Sequence, residues 1–282
     1  MKVIDVSEYQ GDVIWPMVKE DGVIGTVIRA GYGKKNEDPK FRRNAEGAIA
    51  AGISVGIYWF SYAYTEEMAR SEAVACANLI GQYKAGINMP VFFDWEYDSM
   101  NWAKKHGVTP GKDLITRMIL AFCQKITELG YEAGYYLNQD YARNYVDETK
   151  LTAYKRWFAK YTVTEQKNCW LWQYTSKGRV LGISGNVDVN RLYGTVEMPA
   201  TQTQQETQPA AGVEGEEINV RMIKKGSRGK AVKIWQIIVG VEADGIFGKQ
   251  THDATIAFQQ KKHLEVDGIV GKNTWKAGME SV

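Results

Sequence analysis

Two acids, Asp94 and Glu96, follow an apolar run in MPVFFDWEYD, residues 89–98. Val91, Phe92 and Phe93, behind Pro90, have the continuous apolar character of a strand buried on both faces. Residues two apart on a strand point to the same face. A strand over residues 91–96 would bring both carboxyl groups out side by side at its C-terminal end. Like charges held that close, away from water, push one pKa upward. A carboxylic acid that keeps its proton beside one that has lost it is the pair that glycosidic bond cleavage requires. A solvated acidic strand end shows the same pattern, so D-x-E alone leaves both readings open.

The elements around this pair repeat a simple rhythm. Strands are predicted over residues 2–6, 25–30, 54–60, 91–96 and 132–137, and helices over 41–51, 66–83 and 114–129. Gly52, Gly86 and Gly130 stand where those helices would stop. Strand and helix alternating in this way predict parallel βα units closed into a barrel. After residue 150 the strands 156–161, 169–174 and 187–192 follow without good helices between them. The α/β barrel is therefore expected to finish with bare strands. Barrels of this kind place chemistry at the C-terminal strand ends, which selects Asp5, Arg29, Tyr62, Asp94, Glu96, Tyr136 and Asp188.

The 282 residues suffice for one large domain and a small one, and 44% hydrophobic with 24% charged residues fits an ordinary globular chain. A net charge of +2 gives no global pointer to nucleic acid. Its distribution is uneven: residues 1–198 carry 24 basic and 23 acidic residues, 199–217 carry 0 and 4, and 218–282 carry 11 and 6. Three cysteines and three histidines show no metal-ligand or disulfide spacing, which disfavours a metal-dependent hydrolase, and no cofactor motif is present. The N-terminus runs directly into strand-like KVIDVS, with no signal-peptide pattern, and no stretch approaches the roughly 18 apolar residues of a membrane span. The expectation is synthesis in the cytoplasm, with delivery by another agent if the target lies outside.

Residues 199–217 (PATQTQQETQPAAGVEGEE) cannot bury enough apolar surface to order themselves and read as a linker. Residues 218–282 hold a repeat, DGIFGKQT from Asp244 and DGIVGKNT from Asp267. Each is an Asp-Gly turn followed by a helix start. With the apolar helix 231–239, this predicts a small three-helix domain with Trp235, Phe247, Phe258 and Trp275 mostly in its core.

Residues 2–194 resemble the glycoside hydrolase family 25 lysozymes, the N-acetylmuramidases of phage endolysins and bacterial autolysins. The resemblance rests on DVSEYQG at 5–11, VIRAGYG at 27–33, GIYWFSYA at 56–63, VFFDWEYD at 91–98 and LWQYTSKGRVLGISGNVDVNRLYG at 171–194, in that order. The tail resembles the peptidoglycan-binding domain 1 family through GSRGKAVKIWQ, DGIFG and VDGIVGKNTW. The resemblance implies an irregular TIM-like (β/α)5(β)3 barrel over residues 1–198. It also implies hydrolysis of the β-1,4 bond between N-acetylmuramic acid and N-acetylglucosamine in peptidoglycan, with a wall-binding tail. Carried over by motif, it makes Glu96 the general acid, Asp94 its ionised partner, and Asp5 and Asp188 the groups that position the pair and tune its charge. Aromatic side chains cover the apolar faces of sugar rings. Tyr62, Tyr136, Tyr58 and Trp172 are the expected substrate-binding residues. Arg29 would hold either a substrate carboxylate or a structural ion pair. A lectin using the same groove gains nothing from two close acids, and a chitinase-type enzyme would show a longer D-x-x-D-x-D-x-E run, which is absent before Asp94.

Overall fold

The computed structural model describes residues 1–162, 164–196, 222–279 and 281. The chain divides into two compact units, Met1–Thr201 and Gln202–Val282. The expected linker, 199–217, lies outside the described residues.

The first unit is a closed barrel. Its strands are β1 Lys2–Val6, β2 Gly25–Tyr32, β4 Ser54–Phe60, β5 Ile87–Asp94, β6 Ala133–Asn138, β7 Lys155–Ala159, β8 Leu171–Gly178 and β9 Val187–Leu192, with a two-residue β3, Asn36–Glu37, paired on the edge of β2. The order β1-β9-β8-β7-β6-β5-β4-β2 closes through β1–β2. Apart from the edge pair β2–β3, all pairs from β1–β2 to β7–β8 are parallel, whereas β9 runs antiparallel to both β8 and β1. Helices α2 Phe41–Ala50, α3 Glu66–Ile80 and α5 Lys112–Glu128 cover the outside, and among the described residues no helix lies between β7 and β9. This is the eight-stranded architecture expected from the helix-poor second half.

Two side-chain layers explain the alternation along the strands. Outward residues such as Ile4, Ile28, Ile57, Val91 and Phe93 pack under the helices with Ile119, Phe122 and Ile126. Inward residues Val3, Val27, Phe92, Trp157 and Leu171 form a second apolar cluster inside the barrel. A Cβ on Gly134 would stand 2.5 Å from Phe92 Cε1, so β6 needs a glycine where that ring crosses the barrel. One step of two residues toward the C-terminal ends turns this apolar layer into a polar one: Val3 to Asp5, Val27 to Arg29, Phe92 to Asp94, Leu171 to Gln173. On antiparallel β9 the same step runs backward, from Leu192 to Asn190 and Asp188.

Several boundaries differ from expectation. β5 ends at Asp94 rather than at Glu96, because α4, Tyr97–Lys105, starts directly afterwards with Glu96 as its N-cap. α3 ends at Ile80 and passes into a 3-10 turn over Gly81–Gly86. The short helices α1 Trp15–Glu20 and α6 Gln139–Asn144 lacked enough apolar period to be seen.

In the second unit, α7 Lys230–Ile238, α8 Lys249–Lys261 and α9 Lys272–Met279 surround buried Trp235, Phe247 and Trp275. The repeat is structural as well as sequential. Gln236 Nε2 donates to Asp244 Oδ1 at 2.7 Å while its Oε1 accepts from Gly245 N at 2.8 Å. Gln259 does the same with Asp267 and Gly268, at 2.8 and 2.9 Å. Each Asp-Gly turn is thus latched to the preceding helix, and each glycine takes a positive φ, 77° and 68°. No described helix is long and apolar enough to cross a membrane.

Candidate active site

The polar layer at the C-terminal end of the barrel lines a pocket of about 310 Å³ that contains Asp5, Arg29, Tyr58, Asp94, Glu96, Tyr136 and Asp188. Seven of the nine residues expected from sequence therefore meet in one cavity. Asp188 arrives there only because β9 is antiparallel, which puts the start of that strand beside the end of the others. It stands directly opposite Asp5 in the β1–β9 register. A second pocket, lined by Glu96, Tyr97, Tyr136, Asn138, Asp140 and Tyr161 among others, shares Glu96, Tyr136 and Tyr161 with the first. Glu96 stands at their junction.

Both acids of the pair keep extended backbone, so they still point to one side. Asp94 closes β5, and Glu96 has φ −128° and ψ −164° before α4 turns away. The Glu96 amide donates to Ser99 Oγ at 3.1 Å and fixes that turn. The two carboxyl groups lie within hydrogen-bonding reach of each other. Asp94 is nearly inaccessible, at 5% exposure, and its Oδ1 has no hydrogen-bond partner.

Burial is the largest influence on all four acids, and it favours the protonated form. It pushes Glu96 to about 7, with the bond from Asp94 pulling it down and the charges of Asp98 and Asp188 adding to the rise. Asp94 is driven well above the usual carboxylate range by burial, then by Glu96 and Asp5, with Arg29 opposing. Asp5 rises to about 8 by burial and by Asp188, against the amide donors of Asn190 and Gln173. Asp188 rises to about 6. Burial therefore favours one proton held between Asp94 and Glu96.

The neighbours of Asp5 form a closed network. Its Oδ2 accepts from Asn190 Nδ2 at 2.7 Å and from Gln173 Nε2 at 3.0 Å. Trp157 Nε1 donates to Asn190 Oδ1 at 2.8 Å, and the hydroxyls of Tyr161 and Tyr136 reach Gln173 Oε1 at 3.0 and 3.3 Å. With each amide oxygen taken, each amide nitrogen must face Asp5. None of Gln173, Asn190, Trp157 and Tyr161 was anticipated. Asn190 was within reach, since it lies two residues from Asp188 on the same strand face.

Arg29 is committed. Its Nε donates to Asp38 Oδ2 at 2.7 Å and its Nη2 to Glu8 Oε1 at 2.8 Å, so the structural ion pair is the role observed. Tyr62 stands outside the pocket lining, its ring 5.3 Å from Phe60 and 5.6 Å from partly exposed Trp102. Trp172 is not in the groove. It is out of phase with Gln173 on β8, faces outward among Phe158 and Cys169, and donates Nε1 to Lys160 O at 2.9 Å. Among the described residues, no group of three or more His, Cys, Asp or Glu side chains is arranged to hold a metal ion.

Residues 4–183 match the sequence profile of the glycosyl hydrolases family 25, and residues 235–277 match that of a putative peptidoglycan binding domain. The autolytic lysozyme of Clostridium acetobutylicum is 26% identical over 285 residues, spanning 99% of this chain and 79% of that protein. Lysozyme M1 of Streptomyces globisporus is 27% identical over 202 residues, 68% of this chain and 67% of that one. Among solved structures, the modular autolysin LytC of Streptococcus pneumoniae superposes with a TM-score of 0.59 at 29% identity, over 67% of this chain but only 46% of LytC. The CTP1L endolysin gives 0.56 at 26% identity, over 68% and 66% of the two chains. A profile match across most of the barrel and a fold shared with these enzymes place the chain in family 25 of the glycosyl hydrolases.

Proposed function

We propose that the protein is a lysozyme that hydrolyses the β-1,4 bond between N-acetylmuramic acid and N-acetylglucosamine, with Glu96 as general acid. The observation that carries this reading is the position of Glu96. It is a carboxyl raised to about 7, at the junction of two pockets, above a second buried carboxyl. Sugars on either side of the scissile bond would fill the two pockets, with the glycosidic oxygen over Glu96. An acid titrating near neutrality suits proton donation at physiological pH. The N-terminus of α4 would then stabilise the carboxylate left behind.

Asp94 is too close to Glu96 for either usual partner role. Water-activating carboxylates stand roughly 6.5–9.5 Å from the acid, and nucleophilic ones about 5 Å. Hydrogen-bonding reach leaves room for neither. This supports Asp94 orienting the 2-acetamido group of the substrate as internal nucleophile. An acetamido N–H donating to Asp94 favours its ionised form and leaves the pair's proton on Glu96, the charge arrangement expected from sequence. Asp5 and Asp188 would position the pair and tune its charge, with Asp188, raised only to about 6, the one that carries negative charge near neutrality.

The C-terminal unit would hold the enzyme on the wall and raise its local concentration there. Its profile match and the autolytic lysozyme, similar over nearly the whole chain, support that role. An endolysin released during host lysis is the biological setting we favour, and an autolysin the alternative. Analysis of the ends formed on purified peptidoglycan tests the activity. New reducing ends at muramic acid are expected, and reducing ends at glucosamine would move the bond and overturn the assignment.

A further inference from the structure

A second buried carboxyl lies behind the site. Glu72 on α3 is 2% exposed, and its carboxyl is pushed up to about 7 by burial, against the Ser61 hydroxyl and the Tyr62 amide. Its Oε1 accepts from Tyr62 N at 3.2 Å, while Oε2 has no hydrogen-bond partner. The charge of Glu72 adds to the rise of the buried thiol of Cys76, one turn along α3. An isolated buried carboxyl is costly to a fold, more so than an apolar side chain in the same place.

What Glu72 holds is the turn at residues 61–63, which leads from β4 toward α3. That turn is fastened to both sides of the acidic segment. Ser61 N donates to Asp94 O at 2.7 Å, and Trp95 Nε1 donates to Ala63 O at 2.8 Å. The turn is closed on itself by Ala63 N to Ser61 Oγ at 3.1 Å. The chain of contacts thus runs from Glu72 through the turn to the backbone of Asp94 and the side chain of Trp95, the residue between the two acids.

We propose that Glu72 is a positioning residue: through the 61–63 turn it fixes the Asp94–Glu96 segment in the geometry that the reaction needs. Misplacement of a reacting group by a fraction of an ångström is enough to slow catalysis without preventing binding. The proposal rests on the lysozyme reading above.

The test is steady-state kinetics on soluble glycan fragments for wild type, Glu72→Gln, Glu72→Leu and Trp95→Phe, with thermal melts for each. Wild-type activity tests the reading itself, so its absence is distinguishable from failure of the proposal. Glu72→Gln keeps an acceptor for Tyr62 N and should stay within about threefold of wild-type kcat. Glu72→Leu fills the space without an acceptor and should lower kcat roughly tenfold or more, with KM within about threefold. Should Glu72→Leu fail to fold, Trp95→Phe, which keeps a ring against Tyr141 and removes the bond to Ala63 O together with part of the indole's packing, carries the test with the same split between kcat and KM. If Glu72→Leu folds, the double variant should lose little more than the worse single, because both act through one turn. A folded Glu72→Leu, or a Trp95→Phe, with wild-type kcat would overturn the proposal, as would losses that multiply in the double variant.

Discussion

Replacing Glu96 by glutamine should make the protein more stable, and the gain should grow with pH. Burial lifts this carboxyl from its ordinary 4.5 to about 7, so the folded protein binds its proton more tightly than the unfolded chain does. A raised folded-state pKa favours folding fully below pH 4.5, and the advantage disappears as pH rises through 7. Above that the fold carries a buried carboxylate it would rather not ionise. A displacement from 4.5 to about 7 corresponds to about 3 kcal/mol at most. Coupling to Asp94 and partial access to solvent reduce this, so about 1–2 kcal/mol at pH 8 is the working figure. Glutamine has nearly the same shape and no charge, so this penalty vanishes. For a barrel of this size the gain corresponds to roughly 2–8 °C in Tm. The assay is calorimetry of wild type and Glu96→Gln at pH 4 and pH 8. The two melting curves should nearly coincide at pH 4 and separate at pH 8, with the variant melting higher. A difference that is the same at both pH values, or a variant less stable at pH 8, would refute the claim that burial of this carboxyl is paid for in stability.

Two further predictions separate the groove from its surroundings. Trp157→Phe removes the bond that orients Asn190 toward Asp5 and should lower kcat about three- to tenfold, whereas Trp172→Phe should leave kinetics unchanged and cost about 1 kcal/mol in a denaturant melt. Deleting residues 200–282 should lower turbidity-clearing of intact walls far more than hydrolysis of soluble fragments, and equal losses on both would remove the anchoring role.

The period-two pattern made much of this arrangement legible in advance. VFFDWEYD announced a buried strand with acids at its end, and the helix-poor stretch after residue 150 announced bare strands. What the pattern could not show was direction. Antiparallel β9 decides that Asp188 joins the site from the start of its strand. Phase was equally hidden at β8, where Trp172 was one of the aromatic residues expected to bind sugar and Gln173 faces the barrel. An aromatic in a strand carries no mark of the face it occupies, whereas its register against β7 and β9 does. Glu96 belonged to a helix cap rather than a strand because Ser99, three residues on, supplies the hydroxyl that starts α4. The Asp5 network joins residues up to 185 apart in sequence, and only barrel closure brings them together.

Proton donation from Glu96 to the leaving oxygen is the central step, and a change of leaving group tests it most directly. Glu96→Gln and Asp94→Asn would be assayed on a natural glycan fragment and on one ending in a dinitrophenyl glycoside, whose phenolate leaves without protonation. On the natural bond Glu96→Gln should fall about 10²–10⁴-fold. On the activated glycoside it should recover to within about tenfold of wild type, while Asp94→Asn stays impaired on both. Equal losses for Glu96→Gln on the two substrates would contradict the assignment of Glu96 as the general acid.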